Sequence, residues 1–117
     1  MYRIVDYTII YRTLLFQTAC PRLLDIYILC TATSCRERGV GGRLVEAALG
    51  HAVTEAGFAA AVSLGLSVFS QKIFRRVGFS PAVEIEYKDY KRRDGRKLFN
   101  LDKMGIHSKG ILYVKTL

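Results

Sequence analysis

Apolar residues along this chain fall into two nearly continuous runs separated by a segment with helical spacing. The runs cover residues 25–33 and 59–66, and each predicts a strand buried on both faces. Between them, segment 44–56 repeats apolar residues every three or four positions, and Gly57 supplies a cap at its end. A helix between two such strands predicts a right-handed βαβ crossover, with Cys30 as a small core residue inside the first strand.

The second half of the chain predicts a short helix followed by antiparallel strands. Residues 71–77 form a helix with Gly78 as its cap, and residues 82–90 alternate apolar and polar side chains as a half-exposed strand does. Asp94-Gly95 indicates a turn, and residues 111–117 a last strand. Residues 2–16 favour a helix, although their β-branched side chains also permit a strand. We therefore expect one α/β domain, residues 1–117, with a mixed sheet.

The connection between the first strand and the long helix is rich in arginine and glycine. It reads Arg-Glu-Arg-Gly-Val-Gly-Gly-Arg from Arg36 to Arg43. Glycines at such a turn expose backbone N–H groups, and the helix dipole favours negative charge there. The pattern is not the dinucleotide fingerprint, because Leu44 stands where a third glycine is required, and no Gly-Lys-Ser/Thr of a P-loop follows. A tight turn without a ligand is the alternative to a phosphate or pyrophosphate site.

Composition adds a strongly basic character. The net charge is +8 with a pI near 9.7, and cations crowd the second half, including the run 91–97. Such a field suits coenzyme A, nucleic acid or an anionic membrane, and for 91–97 it also suits a solvated turn. Three cysteines without metal-site spacing predict no metal and favour a reducing cytoplasm. No secretory signal is visible, and polar residues interrupt the apolar patch 14–32, so no membrane span is expected.

Three segments together resemble a known enzyme family. Arg36-x-x-Gly39-x-Gly41 resembles the acetyl-CoA pyrophosphate loop of the GCN5-related N-acetyltransferases, and residues 70–79 resemble the helix with a Gly-Phe end that follows their fifth strand. The tail, with segment 84–90, Asp94-Gly95, His107 and segment 113–117, resembles the insect arylalkylamine (dopamine-type) N-acetyltransferases. The resemblance implies a partial fold of this type, lacking the first strands and helices: central strand, pyrophosphate loop, helix, strand, helix, then an antiparallel strand pair.

The resemblance also implies a cofactor site. Backbone amides between Arg36 and Gly41 would hold the diphosphate, with Arg38 or Arg43 adding charge, and main-chain groups near Cys30 and Ala32 would pair with the pantetheine arm. The full set of expected acetyl-CoA contacts is Cys30, Ala32, Arg36, Arg38, Gly39, Val40, Gly41, Gly42, Arg43 and Ser70.

Catalytic groups are implied at Ser70 and His107. Many acetyltransferases place a tyrosine acid at the position of Phe74, which has no hydroxyl, whereas serines at the start of this helix serve the insect enzymes. Ser70, with Ser67 nearby, fits that role, and Ser70 is equally suited to be the N-cap of a 71–77 helix. His107 can transfer protons near neutral pH, or it can be a surface loop residue. The family's glutamate base belongs to the half that this chain lacks.

The function implied is acetyl transfer from acetyl-CoA to a small arylalkylamine, such as dopamine, tyramine, octopamine or serotonin, by direct attack in a ternary complex. A catalytically incomplete fragment that keeps coenzyme A binding is the first alternative. A small basic nucleic-acid-binding protein is the second, although the aromatic residues fall at core-like positions and no RNA-binding or zinc-finger motif is present. Oligomeric state, preferred amine and acyl chain length are left open.

Overall fold

A computed structural model describes residues 23–117, so the helix expected at residues 2–16 lies outside the described residues. Strands and helices alternate up to the second helix, and two strands follow it. They are β1 (Leu23–Asp25), α1 (Val40–Ala56), β2 (Ala60–Gly65), α2 (Val68–Val77), β3 (Ser80–Glu86) and β4 (Lys109–Thr116), with single 3₁₀ turns at Thr33–Cys35, Tyr87–Asp89 and Leu101–Lys103.

The described strands form one mixed sheet in the order β1-β2-β4-β3. β1 runs parallel to β2, with α1 between them in the chain, as the βαβ pattern predicts. β4 is antiparallel to both neighbours and lies between β2 and β3, so the last strand of the sequence enters the middle of the sheet. The last residues of β1, β2 and β3 and the first residues of β4 therefore lie at the same end of the sheet.

The prediction of a buried strand over residues 25–33 is wrong for most of that run. Only Leu23–Asp25 pairs with β2, and a single further bond joins the Ile26 N–H to the Val62 carbonyl (2.9 Å). Beyond Ile26 the backbone has no strand partner within residues 23–117, and Tyr27 and Ile28 are 85% and 77% exposed. Cys30 is likewise exposed, so it is not the core residue expected, because the chain has left the sheet before reaching it.

Helix α1 begins at Val40, four residues earlier than the apolar spacing indicated. Gly39 precedes it in the left-handed region (φ 72°), and Gly57 ends it in the same conformation, as predicted. The buried face carries Val45, Leu49 and Ala52. Leu44 and Val53 also fit a helical repeat, yet each is 48% exposed, because only one side of α1 packs on the described part of the protein.

The core lies between the two helices and one face of the sheet. Phe74 of α2 contacts Phe79 edge-to-face and lies against Tyr113 of β4, with ring centroids 5.2 and 5.6 Å apart. These residues form one cluster with Val45, Leu49, Ala61 and Ile111. The short helix, its Gly78 cap and the final strand are all confirmed, although α2 begins three residues before residue 71.

The predicted strand 82–90 is shorter at its end than expected. β3 stops at Glu86, and Tyr87 turns inward in a 3₁₀ turn where its hydroxyl donates to the Leu66 carbonyl (2.7 Å). The Asp94-Gly95 turn is confirmed, since the Gly95 N–H donates to the Arg92 carbonyl (3.0 Å). Among residues 23–117, no helix is both long enough and apolar enough to cross a bilayer.

Candidate active site

β1 and β2 separate at their C-terminal ends, which leaves an opening between them. At the point where the strands part, the buried Ser63 hydroxyl donates to the Ile26 carbonyl (2.7 Å) and replaces the next ladder bond. Beyond Ser63, β2 continues to Gly65 and pairs only with β4 among the described strands. Its other edge therefore presents main-chain donors and acceptors that need a partner, because unpaired buried backbone groups are costly.

The turn that leads into α1 is exposed along residues 33–39. Glu37 (φ 62°) and Gly39 (φ 72°) both adopt the left-handed conformation, and no side chain caps the helix. The N–H groups of Val40, Gly41 and Gly42 donate no hydrogen bond to any described residue. The first turn of α1 also holds no acidic residue.

Three arginines flank these donors in the sequence. Arg36, Arg38 and Arg43 are all exposed, and the Arg36 N–H is used by the turn itself, donating to the Thr33 carbonyl (3.3 Å). Free amides, a helix dipole and guanidinium groups together favour a multiply charged oxyanion. The turn predicted to accept a diphosphate is thus open rather than occluded by side chains.

The three glycines at positions 39, 41 and 42 have different structural roles. A Cβ on Gly39 or Gly42 would meet no atom of residues 23–117 within 4 Å, so none of these residues fills the space beside either glycine. A Cβ on Gly41 would instead lie 2.9 Å from Cδ1 of Ile73. Gly41 therefore allows α1 and α2 to approach closely, a packing role that sequence reasoning did not assign.

The start of α2 corrects the expectation for Ser70. Ser67 is the N-cap, and Ser70 is the third residue of the helix in a reciprocal capping box. The Ser70 N–H donates to the Ser67 hydroxyl (3.1 Å), while the Ser70 hydroxyl donates to the Ser67 carbonyl (3.1 Å) and accepts from the Ser67 N–H (3.3 Å). The Ser70 proton is thus engaged in the cap, whereas the Ser67 hydroxyl proton remains available, either to Ser70 Oγ (3.1 Å) or to a bound molecule.

The structure brings His107 to the same helix end. The Val68 N–H donates to Nδ1 of His107 (3.1 Å), and the imidazole contacts the Phe69 ring edge-to-face at 5.8 Å between centroids. Because Nδ1 is an acceptor, the neutral ring carries its proton on Nε2, which is a donor. His107 is therefore half-buried and fixed in orientation, not a free surface residue.

Gln71 is a site residue that sequence reasoning missed. Its buried amide donates to the carbonyls of Gly65 (3.1 Å) and Lys109 (2.7 Å), and so ties α2 to the end of β2 and the start of β4. The detectable signal was a polar side chain three residues before Phe74, on the face of the helix that packs on the sheet.

Two carboxylates of β3, Glu84 and Glu86, are paired with lysines. Lys109 lies 3.3 Å from Glu84, and Lys88 lies 3.1 Å from Glu86. The hydrogen bond with Glu86 and its negative charge raise the pKa of Lys88. Residues 68–117 contain 12 Lys and Arg and 5 Asp and Glu, so they carry +7 of the net +8.

Within residues 23–117, no group of His, Cys, Asp and Glu is arranged to hold a metal ion.

Comparison with known proteins gives a clear result at the level of structure. No family sequence model and no curated protein matches the chain by sequence. Arylalkylamine N-acetyltransferase 2 from Aedes aegypti matches 97% of the chain with a TM-score of 0.82 and 25% identity, over 53% of its own length. A Drosophila melanogaster polyamine N-acetyltransferase that forms N-acetylagmatine matches 98% with a TM-score of 0.79 and 19% identity, over 54% of its length.

A more distant neighbour was solved with the cofactor bound. NAA60 of Arabidopsis thaliana in complex with acetyl-CoA matches 80% of the chain with a TM-score of 0.53 and 14% identity, over 48% of its length. The chain thus spans about half the length of the solved structures it resembles. Its mixed sheet, its separated parallel strands and its two helices are part of the GCN5-related N-acetyltransferase fold.

Proposed function

We propose that this chain binds acetyl-CoA and transfers the acetyl group to the primary amine of a small arylalkylamine. The observation that carries the proposal is the uncapped start of α1, which follows an exposed turn with Arg36 and Arg38 and whose first three N–H groups have no acceptor among the described residues. The same features fit the two chemical parts of coenzyme A. A diphosphate suits the amides and arginines, and the amide-rich pantetheine suits the unpaired edge of β2.

In this proposal the diphosphate is held by the backbone between Arg36 and Gly42, with Arg43 close in sequence. The main chain near Cys30 and Ala32 faces the pantetheine arm across the opening. The Ala32 carbonyl already accepts from the Cys35 N–H (2.8 Å), so its N–H is the group left for a ligand. The exposed Cys30 and Cys35 thiols are compatible with a reducing cytoplasm, where we place the enzyme.

The chemical step needs an uncharged amine and a proton for the departing thiolate. The amine nitrogen attacks the thioester carbonyl, the C–S bond breaks, the nitrogen loses one proton and the sulfur gains one. The Ser67 hydroxyl is the group at the start of α2 with an uncommitted proton, and Ser70 holds it in position. His107 donates through Nε2, which suits stabilising a developing negative charge rather than accepting the amine proton.

The charge distribution favours an arylalkylamine over a polyamine. A dicationic acceptor such as agmatine requires an unpaired carboxylate for its second charge. Glu84 and Glu86 at the relevant end of the sheet are each already paired with a lysine, and the surroundings carry a large positive excess. An amine with one basic nitrogen and an apolar tail meets no such requirement.

A second candidate function is coenzyme A binding without turnover. It is favoured by the cluster around Ser67 and His107, none of whose observed hydrogen bonds within residues 23–117 involves a carboxylate base.

Two helical glycines provide a matched test of the cofactor site. Gly42 lies in the first turn of α1 and Gly50 lies further along the same helix, and a Cβ at either position would meet nothing within 4 Å. We expect Gly42→Glu to weaken coenzyme A binding at least tenfold by calorimetry, because a carboxylate would stand where the diphosphate binds. Gly50→Glu should bind as the unaltered protein does. Equal affinities for both variants would eliminate the assignment of the diphosphate site.

Turnover distinguishes the two candidate functions. Thiol release from acetyl-CoA is followed with tyramine, dopamine, octopamine, serotonin and, as the dicationic comparison, agmatine. Release that depends on an arylalkylamine and exceeds that with agmatine supports the transferase. Coenzyme A binding without amine-dependent release of thiol establishes the binding-only function instead.

A further inference from the structure

Three large apolar side chains are exposed at the end of the sheet where α2 begins. Phe69 is 64% and Ile106 is 66% exposed, and Leu66 is exposed between β2 and α2. Apolar side chains gathered in this way are a feature of binding sites, whereas isolated ones are ordinary. Leu66 and Phe69 lie three residues apart, whereas Ile106 comes from the connection between β3 and β4.

Two contacts hold this region together. The bond from the Val68 N–H to Nδ1 of His107 fixes the end of the β3–β4 connection, which includes Ile106, to the first turn of α2. The bond from the Tyr87 hydroxyl to the Leu66 carbonyl fixes the beginning of that connection to the end of β2. The apolar side chains are therefore presented on an ordered frame, which reduces the entropy lost when a ligand binds.

The chemistry around Phe69 narrows the choice of ligand. The Phe69 ring contacts the His107 imidazole edge-to-face, with centroids 5.8 Å apart, and the Val68 N–H fixes the orientation of that imidazole. A molecule seated on the Phe69 ring would thus lie beside His107. The paired state of Glu84 and Glu86 leaves no free carboxylate in these pairs for a cationic tail, so an uncharged apolar tail is favoured.

We propose that Phe69 is a specificity-determining residue that receives the aromatic ring of the acceptor amine, with Ile106 and Leu66 at the margin of the same surface. The inference rests on the proposed function, because it concerns the acceptor half of that reaction. The exposed face of Phe69 offers offset or edge-to-face contact to a second ring, an arrangement that adds to simple burial of apolar area.

The test measures amine binding, so it does not depend on turnover. The chain is saturated with coenzyme A and titrated with 2-phenylethylamine or with propylamine, which has the same amine without the ring. Phe69→Ala should weaken 2-phenylethylamine binding about tenfold and propylamine binding less than twofold, because a ring–ring contact with its burial contributes on the order of one tenfold step. Phe69→Tyr should retain the affinity for 2-phenylethylamine.

Val53→Ala is the matched control, since Val53 is an exposed apolar residue on α1. It should change neither affinity. Because Phe69 is mostly exposed, its truncation should leave the melting temperature and the coenzyme A affinity unchanged, and these are measured in parallel. An unaltered ratio of the two amine affinities in Phe69→Ala, or no binding of 2-phenylethylamine to the coenzyme A-loaded chain, overturns the inference. Absence of coenzyme A binding overturns the proposed function itself, so the two failures are separable.

Discussion

Replacing Tyr113 with Phe should stabilise the protein, which is the reverse of the usual effect of a core substitution. Tyr113 is fully buried on β4, and its hydroxyl has no hydrogen-bond partner among the described residues. Its ring packs on Phe74, and an edge of the ring approaches Gly65 so closely that a Cβ there would lie 2.9 Å away. Phe keeps all of these ring contacts and removes only the unpartnered oxygen.

The magnitude follows from two opposing terms. A buried polar group without a partner costs about 1–3 kcal/mol. The space vacated by one oxygen atom costs roughly 0.3 kcal/mol at the usual rate for cavity volume. The net gain should be about 1–2 kcal/mol, and each kcal/mol raises the melting temperature of a domain of this size by about 4 °C.

Tyr87 supplies the matched control in the same chain. Tyr87 is also buried, but its hydroxyl donates to the Leu66 carbonyl (2.7 Å), so Tyr87→Phe should destabilise by about 1 kcal/mol. Urea unfolding followed by circular dichroism compares both variants with the unaltered protein. If Tyr113→Phe loses stability as Tyr87→Phe does, the Tyr113 hydroxyl has a partner after all and the reasoning fails.

Three further outcomes are expected. Burial raises the pKa of both Tyr87 and Tyr113. Their contribution to the free energy of unfolding is therefore fully present below the unfolded-state tyrosine pKa of about 10 and is lost as pH rises through their folded-state pKa values. A free energy of unfolding that stays constant up to about pH 12 contradicts this. Gly42→Ala should gain up to about 1 kcal/mol of helix stability, and Gly41→Ala clearly less, because its Cβ meets Ile73; equal gains in urea unfolding would argue against close helix packing there. Ser67→Ala should cost about 1 kcal/mol through loss of the capping box, whereas Ser67→Asp should retain most of the stability in thermal unfolding, and a full loss in both would assign the effect to another contact.

Local elements of this fold could be predicted well from the sequence. The helix over 44–56, the cap at Gly57, the Asp94-Gly95 turn and the final strand depend on spacing and on residues with special backbone freedom, and all four are present. The arginine and glycine turn was recognised for the same reason. Unpaired amides were implied by the residue types, and among the described residues the N–H groups of Val40, Gly41 and Gly42 have no acceptor.

The error at residues 25–33 shows the limit of that approach. An apolar run indicates that a segment is buried, but it does not indicate which strand pairs with that segment. The run reads as a buried strand, yet β1 keeps only three residues, and Ser63 closes the ladder with a side-chain bond to the Ile26 carbonyl. The pattern of hydrophobic residues contains no information about that parting of the strands.

The sequence by itself determined the two helices and the turns of the described residues, because these depend on neighbours a few residues apart, and it predicted an anion site at the start of α1. Only the tertiary structure decided that β4 enters between β2 and β3 and that His107 meets the start of α2, 39 residues earlier in the chain. It likewise showed that Ser67, not Ser70, is the N-cap of α2 and that the Ser70 hydroxyl donates to the Ser67 carbonyl. Such facts depend on contacts between distant segments, which form only when the whole sheet and both helices are packed together.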